Sequence, residues 1–286
     1  MNGPPDLAAR VSTLIRLALE EDVDGGDVTT EWTVPAEAMS RALIVAKQPL
    51  VVSGATVARE VFRAVEGAVR VEVLHGDGEH VETGGTVLSL EGSARGLLTA
   101  ERTALNFLGR LSGIATLTRR FVEAVEGTGC RILDTRKTTP GWRGLEKEAV
   151  RHGGAQNHRH GLYDMVMVKD NHIAAAGGIE AALARVRHGN RGGLPVEVEV
   201  TSIAELVRVL PLGVDRVLLD NMSVETLREC VRRVKDYASK RPETEASGNV
   251  TLGTVRAIAQ TGVDFVSVGA LTHSAATADL SMRVVA

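Results

Sequence analysis

Apolar positions along the chain follow different periods in successive stretches. Within Val11–Leu19, Leu14, Ile15, Ala18 and Leu19 recur at helical spacing, and the stripe stops at the acidic turn Glu20-Glu21-Asp22. Asp24-Gly-Gly-Asp27 breaks it. Between Ala42 and Leu90 the signal becomes short apolar runs at 42–46, 69–73 and 86–90, separated by Gly76-Asp-Gly78 and Gly84-Gly85. That pattern predicts a small sheet-rich domain. Leu97, Leu98, Leu105 and Leu108 then return to helical spacing.

From residue 130 one theme repeats: a short apolar strand, a polar residue at its end, a loop, an amphipathic helix. The pattern predicts strands over 131–134, 165–169, 196–200, 216–220, 244–247 and 264–268, and helices over 179–187, 203–210, 224–234 and 252–260. Alternation at this pitch implies a parallel sheet, and six strands imply a complete or incomplete α/β barrel. In Val196-Glu-Val-Glu-Val200 the valines share one face and Glu197 and Glu199 the other. In a sheet with one wet face the glutamates would point to water; in a barrel the valines take the helix-covered face and the glutamates point inward.

Composition narrows the function. At 286 residues, 44% hydrophobic and 24% charged, the chain is an ordinary globular protein. Aromatic residues at 3% and a net charge of −3 provide neither the stacking platforms nor the basic surface of a nucleic-acid binder. Cys130 and Cys230 form no Cys-x-x-Cys pair, which fits a reducing cytosol. No apolar run is long enough to span a bilayer and the first ten residues lack a secretory pattern, so the expectation is a cytoplasmic protein without membrane partners.

Against that acidic balance, residues 134–172 concentrate Arg136, Lys137, His158, Arg159 and Lys169, which predicts an anion pocket. Active sites of parallel barrels lie at the C-terminal ends of the strands, and those ends carry Arg136, Lys137, Lys169, Glu199, Asp220, Ser247-Gly248 and Gly269. Arg136, Arg159 and Lys169, with His158, suit carboxylates. Glu199 and Asp220 are hard oxygen donors suited to Mg²⁺. Ser247-Gly-Asn249 and Gly269-Ala270 occupy the usual place for a phosphate. Each also has a plain alternative: solvated loop charges for Arg136 and Lys137, a helix cap for Asp220, a turn for Ser247. Lys169 further admits a Schiff-base role with a carbonyl substrate.

Together these residues resemble the quinolinate phosphoribosyltransferase family, the decarboxylating nicotinate-nucleotide pyrophosphorylases. The resemblance is carried by Gly26-Asp-Val-Thr-Thr30, the segments 96–106 and 111–116, Asp134-Thr-Arg-Lys-Thr-Thr-Pro-Gly141, Asn157-His-Arg159, Lys169-Asp-Asn-His172, Leu219-Asp-Asn221, Glu245-Ala-Ser-Gly248 and the segment 267–274. It implies an α/β fold with a C-terminal incomplete α/β barrel, at 113–274, and a sheet-rich α+β N-terminal domain, at 1–112 and joined by 275–286. The implied reaction is Mg²⁺-dependent transfer of a phosphoribosyl group from 5-phosphoribosyl 1-pyrophosphate to quinolinate, with loss of CO₂, in NAD biosynthesis. The implied assembly is a homodimer with shared sites, or a higher homo-oligomer, in which Arg102 reaches the neighbouring subunit. The implied roles give the quinolinate carboxylates to Arg136, His158, Arg159 and Lys169 with that Arg102, phosphate groups to Lys137 and Lys169, ribose and metal to Glu199 and Asp220, and the 5-phosphate to Ser247, Gly248, Gly269 and His273. Trp142, Glu148 and Ala155 depart from the family pattern without replacing an implied ligand.

Overall fold

The computed structural model describes residues 7–238 and 240–285. In chain order they begin with helices α1 (Leu7–Val23) and α2 (Val28–Thr33), strands β1 (Met39–Ala46) and β2 (Leu50–Val51), and helix α3 (Ala55–Val65). Strands β3 (Arg70–Val73), β4 (His80–Val81) and β5 (Thr86–Ser93) lead into α4 (Ala94–Ala124). There follow β6 (Arg131–Leu133), α5 (Arg143–His152), β7 (Val166–Val168), α6 (Asp170–Ala176), α7 (Ile179–Gly189), β8 (Val196–Val200) and α8 (Ile203–Val209). Last come β9 (Arg216–Asp220), α9 (Val224–Asp236), β10 (Glu243–Ser247), α10 (Val255–Ala259), β11 (Phe265–Ser267), α11 (Ala270–His273) and β12 (Leu280–Val285).

Contacts divide the chain into one compact unit of residues 1–119, 139–154 and 274–286, and a second of 120–138 and 155–273. This partition differs from the expected 1–112 and 113–274 at two places. The first boundary falls after residue 119 rather than 112, and both positions lie inside helix α4, which is continuous for 31 residues. The excursion 139–154 belongs to the first unit because α5 is fastened to α4 there. Glu146 is fully buried and accepts from Arg110 Nη2 at 2.9 Å, from the Thr139 amide at 3.1 Å and from Thr139 Oγ1 at 2.8 Å. Trp142 stacks on Phe107 with ring centroids 4.6 Å apart.

The first unit holds an antiparallel sheet of order β12-β1-β5-β3. Its C-terminal strand returns beside β1, pairing Ala46 with Leu280 through Arg41 with Val285. The approach to that strand is close: the Ala278 amide donates to the Gly109 carbonyl at 2.9 Å, and any Cβ on Gly113 would collide with the Ala276 carbonyl. Helix α3 was not expected among the strands; Gly54, at φ 94°, opens it in a conformation that favours glycine, and Val57, Ala58, Val61 and Phe62 face the core.

The second unit holds six parallel strands in the order β6-β11-β10-β9-β8-β7. All six expected strands are present, shifted by at most one residue at an end. Their hydrogen-bonded order is open between β7 and β6, which makes an incomplete barrel. Val198, Val217, Leu219 and Val266 are fully buried. Glu197, Glu199, Arg216 and Glu245 lie on the opposite, inner side, as the alternation in β8 required, whereas Thr244 is in register with Val217.

The Gly113 contact sets the sign of a substitution. On an exposed helix Gly→Ala stabilises by about 1 kcal/mol; Gly113→Ala is expected instead to destabilise by about 2 kcal/mol through the collision. Thermal denaturation of the full chain measures this, and a raised melting temperature would contradict the packing described.

Candidate functional site

The site begins with a buried carboxylate. Asp134, at the end of β6 and fully inaccessible, accepts the His158 amide at 2.8 Å and Asn157 Nδ2 at 2.7 Å. Next to it the Gln156 amide donates to Ile132 O at 3.0 Å and the Asp134 amide to Gln156 O at 3.2 Å, so the segment before His158 extends the edge of β6 as a short parallel bridge. This staple brings two segments of the cationic run together.

Arg136 and Arg159 are close enough that the charge of Arg136, after burial, depresses the pKa of Arg159. Neither forms a salt bridge among the described residues. Arg159 Nη1 reaches only the Met165 carbonyl, at 3.3 Å, and the buried Nε of Arg136 has no hydrogen-bond partner among the described residues. Two like charges brought together with donors to spare are a receptor for an anion. Lys169, at the end of β7, donates to Glu199 Oε2 at 2.8 Å. That contact makes it a donor in an ion pair, which does not favour the Schiff-base alternative.

At the ends of β9 and β10 the chain is locked by glycine. The Asn221 amide donates to Ser247 O at 2.9 Å, and Asn221 Nδ2 to Asp220 Oδ2 at 2.6 Å. Gly248 has φ 103°, and a Cβ there would collide with the Asn221 side chain. At the end of β11 a Cβ on Gly269 would lie 3.1 Å from both His273 Nε2 and Lys137 Cδ, so these two side chains flank that glycine. Thr272 Oγ1 donates to Lys137 O at 2.7 Å and holds the two segments together.

Inside the sheet sits a layer below the strand ends. His158, Glu197 and Glu245 are buried, with ligand-type atoms within 4.8 Å of one another. His158 Nε2 is 2.9 Å from Glu197 Oε2 and 3.5 Å from Glu245 Oε2. Burial raises the pKa of Glu197, against the pull of Arg216. Burial, and then the neighbouring Glu197, push Glu245 up to about 7.

The second unit thus gathers Arg136, Lys137, His158, Arg159, Lys169, Glu199, Asp220, Ser247, Gly248, Gly269 and His273. Arg102 lies exposed on α4 in the first unit. His158 Nδ1 accepts the Arg159 amide at 2.7 Å and its Nε2 meets Glu197, so both ring nitrogens have partners within the protein.

The model of the quinolinate phosphoribosyl transferase C-terminal domain matches residues 114–283, and that of the N-terminal domain matches residues 27–112. The chain belongs to the quinolinate phosphoribosyl transferase family.

Relatives in this family include quinolinate phosphoribosyltransferase [decarboxylating] 1 of Nicotiana glauca, 43% identical over 95% of this chain and 81% of its own length. Another is the nicotinate-nucleotide pyrophosphorylase [carboxylating] of Mycobacterium leprae, 44% identical over 94% of this chain and 95% of its own. Among solved structures, NadC from Streptococcus pyogenes superposes with a TM-score of 0.92 at 38% identity, covering 100% of this chain and 99% of that one.

Asp134 and Asn157 stood in the motifs that carried the family resemblance without being assigned a part. Glu245 was likewise unassigned, although Thr244-Glu-Ala246 repeats the alternation that exposed Glu197. The cysteines are not nucleophile candidates: both are free and buried, and burial pushes Cys130 up to about 12.

Glu245 gives a pH prediction. Its pKa in the folded chain, about 7, lies above the ordinary 4.5, so its contribution to stability is full below 4.5 and is lost as pH rises to about 7. Glu245→Gln is therefore expected to gain stability relative to the parent across that window. Denaturation midpoints of both proteins at a series of pH values test it; a pH-independent difference would count against the raised pKa.

Proposed function

We propose that the chain transfers the phosphoribosyl group of 5-phosphoribosyl 1-pyrophosphate to quinolinate with decarboxylation, giving nicotinate mononucleotide, pyrophosphate and CO₂ in NAD biosynthesis. The observation that carries this reading is the pair Arg136 and Arg159, two neighbouring guanidiniums without salt bridges among the described residues. Quinolinate is a planar dianion with adjacent carboxylates, and a guanidinium binds a carboxylate through parallel donors. Lys169 adds a third cation. Family membership and the names of the relatives support the same substrate.

The chemistry is one of charge placement. Pyrophosphate leaves the ribose C1 through an oxocarbenium-like transition state; Glu199 and Asp220 offset positive charge on the sugar, and Lys137 and Lys169 offset charge on the leaving group. Attack by the ring nitrogen makes a pyridinium. The carboxylate next to it then departs as CO₂, leaving its bonding pair on carbon beside the positive nitrogen, where a proton replaces it. Ser247, Gly248, Gly269 and His273, with Lys137 against Gly269, hold the 5-phosphate in this reading.

Mg²⁺ belongs to the proposal. Glu199 and Asp220 each engage one oxygen, with Lys169 and Asn221 respectively, and each has a second oxygen outside those bonds. Such a pair fits a cation that takes one or two carboxylates and fills its shell from water and substrate phosphate. When bound, the ion would neutralise the departing pyrophosphate. The proposal also includes a homodimer in which Arg102 serves the partner subunit's site. A cytosolic setting is part of it, supported by two free cysteines and by the absence, among the described residues, of a helix long and apolar enough to cross a membrane.

Incubation with carboxyl-labelled quinolinate, 5-phosphoribosyl 1-pyrophosphate and Mg²⁺ is expected to release CO₂ and pyrophosphate in equal amounts, and chelation by EDTA to stop both. Turnover of nicotinate with none of quinolinate would overturn the reading. Arg136→Ala and Arg159→Ala are each expected to raise KM for quinolinate by about tenfold or more, the loss of a charge-assisted hydrogen bond. Initial-rate kinetics in each substrate check this.

A further inference from the structure

Beneath Arg159 runs a connected column of charged groups that the proposed reaction does not use. It starts at the N-terminal ends of the strands, where Arg216 donates to Glu243 Oε2 through Nη2 at 2.9 Å and Nε at 3.3 Å, and its guanidinium carbon lies 4.2 Å from the centre of the Phe265 ring. Arg216 Nη1 then donates to Glu245 Oε2 at 3.1 Å, and the same oxygen is 3.5 Å from His158 Nε2. Glu197 Oε2 takes the shorter contact from Nε2, at 2.9 Å.

The direction of these bonds decides what the column does. The Arg159 amide can only donate, so His158 Nδ1, 2.7 Å away, accepts, and the neutral ring carries its proton on Nε2. The ring thus presents an N–H to Glu197, not a lone pair. That orientation, with Arg216 on Glu245, argues against a cation held by these three residues despite their spacing. Instead the imidazole is gripped on both sides: Glu197 fixes its plane, and its other nitrogen fixes the backbone of Arg159. The second oxygens of Glu197 and Glu245 have no hydrogen-bond partner among the described residues, an arrangement that costs stability. Leucine at either place would be free of that cost.

We infer that Glu197 and Glu245, braced by Arg216, are positioning residues that hold His158 and through it set where Arg159 meets a quinolinate carboxylate. This rests on the reading of Arg159 as a quinolinate ligand. A displacement of about 1 Å at a binding group is enough to change rates up to about a hundredfold, so the effect is measurable without loss of the fold.

The test compares Glu197→Leu with Glu197→Gln in the full-length protein. Glutamine keeps a side-chain oxygen to accept from Nε2–H; leucine does not. Glu197→Leu is expected to raise KM for quinolinate about tenfold while KM for 5-phosphoribosyl 1-pyrophosphate changes less than about twofold, and Glu197→Gln is expected to recover most of the loss. Nitrogen-15 NMR of the histidine side chains, needing no substrate, is expected to find His158 as the Nε2–H tautomer in the parent and the Gln variant and as a mixture in the Leu variant. Equal changes in both KM values, a Gln variant as impaired as the Leu variant, or an unchanged tautomer in the Leu variant would each overturn the inference. If the parent itself fails to turn over quinolinate, the functional reading falls while the tautomer measurement still decides the positioning. Should Glu197→Leu fail to fold, Glu245→Leu set against Glu245→Gln, at the longer contact, supplies the same comparison: a smaller shift of the quinolinate KM alone in the Leu variant, recovered by Gln, supports the inference, and equal shifts in both substrates oppose it.

Discussion

A parallel sheet packed against helices on its outer face leaves its polar side chains one destination, the inside, and the chemistry of the second unit follows from that constraint. Helices α7, α8, α9 and α10 contact β7, β8, β10 and β11, so apolar residues such as Val168, Val198 and Val266 are committed outward. Glu197, Glu199 and Glu245 must then share an interior with whatever cations can neutralise them. Arg216, His158 and Lys169 do so in successive layers, and each pairing fixes a side chain in a direction. Arg136 and Arg159 lie beyond those pairings with donors still available.

This order of charges accounts for the character of the site. Acidic groups deep in the sheet are matched within the protein, whereas Arg136 and Arg159 keep donors available, the feature on which the proposed binding of a dianion rests. A buried carboxylate, Asp134, makes that possible by joining the end of β6 to the loop that carries His158 and Arg159. Glycine does the corresponding work opposite: Gly248 and Gly269 sit where a Cβ would strike Asn221, or press on His273 and Lys137.

The barrel strands were legible in the sequence because strands buried on both sides write themselves as short apolar runs, and the inward glutamates of β8 because alternation survives even there. The cationic residues were legible as a cluster, but their grouping required Asp134, whose role depends on a residue 24 positions away. Helix α5 went unseen because Arg143–His152 reads as a solvated stretch, and only the contacts of Glu146 with Arg110 and Thr139 explain its burial. Helix α3 went unseen because it stands between strands. The internal contacts of His158 were illegible for a similar reason: the amide of the next residue, which occupies Nδ1, is invisible to a residue pattern.

In the proposed function Arg136 and Arg159 form a receptor for two adjacent carboxylates. Calorimetric titration of the protein with quinolinate and, separately, with nicotinate tests it without depending on turnover. Quinolinate is expected to bind at least about tenfold more tightly, the second carboxylate contributing one more charge-assisted pair. Equal affinity for the two acids, or tighter binding of nicotinate, would contradict it.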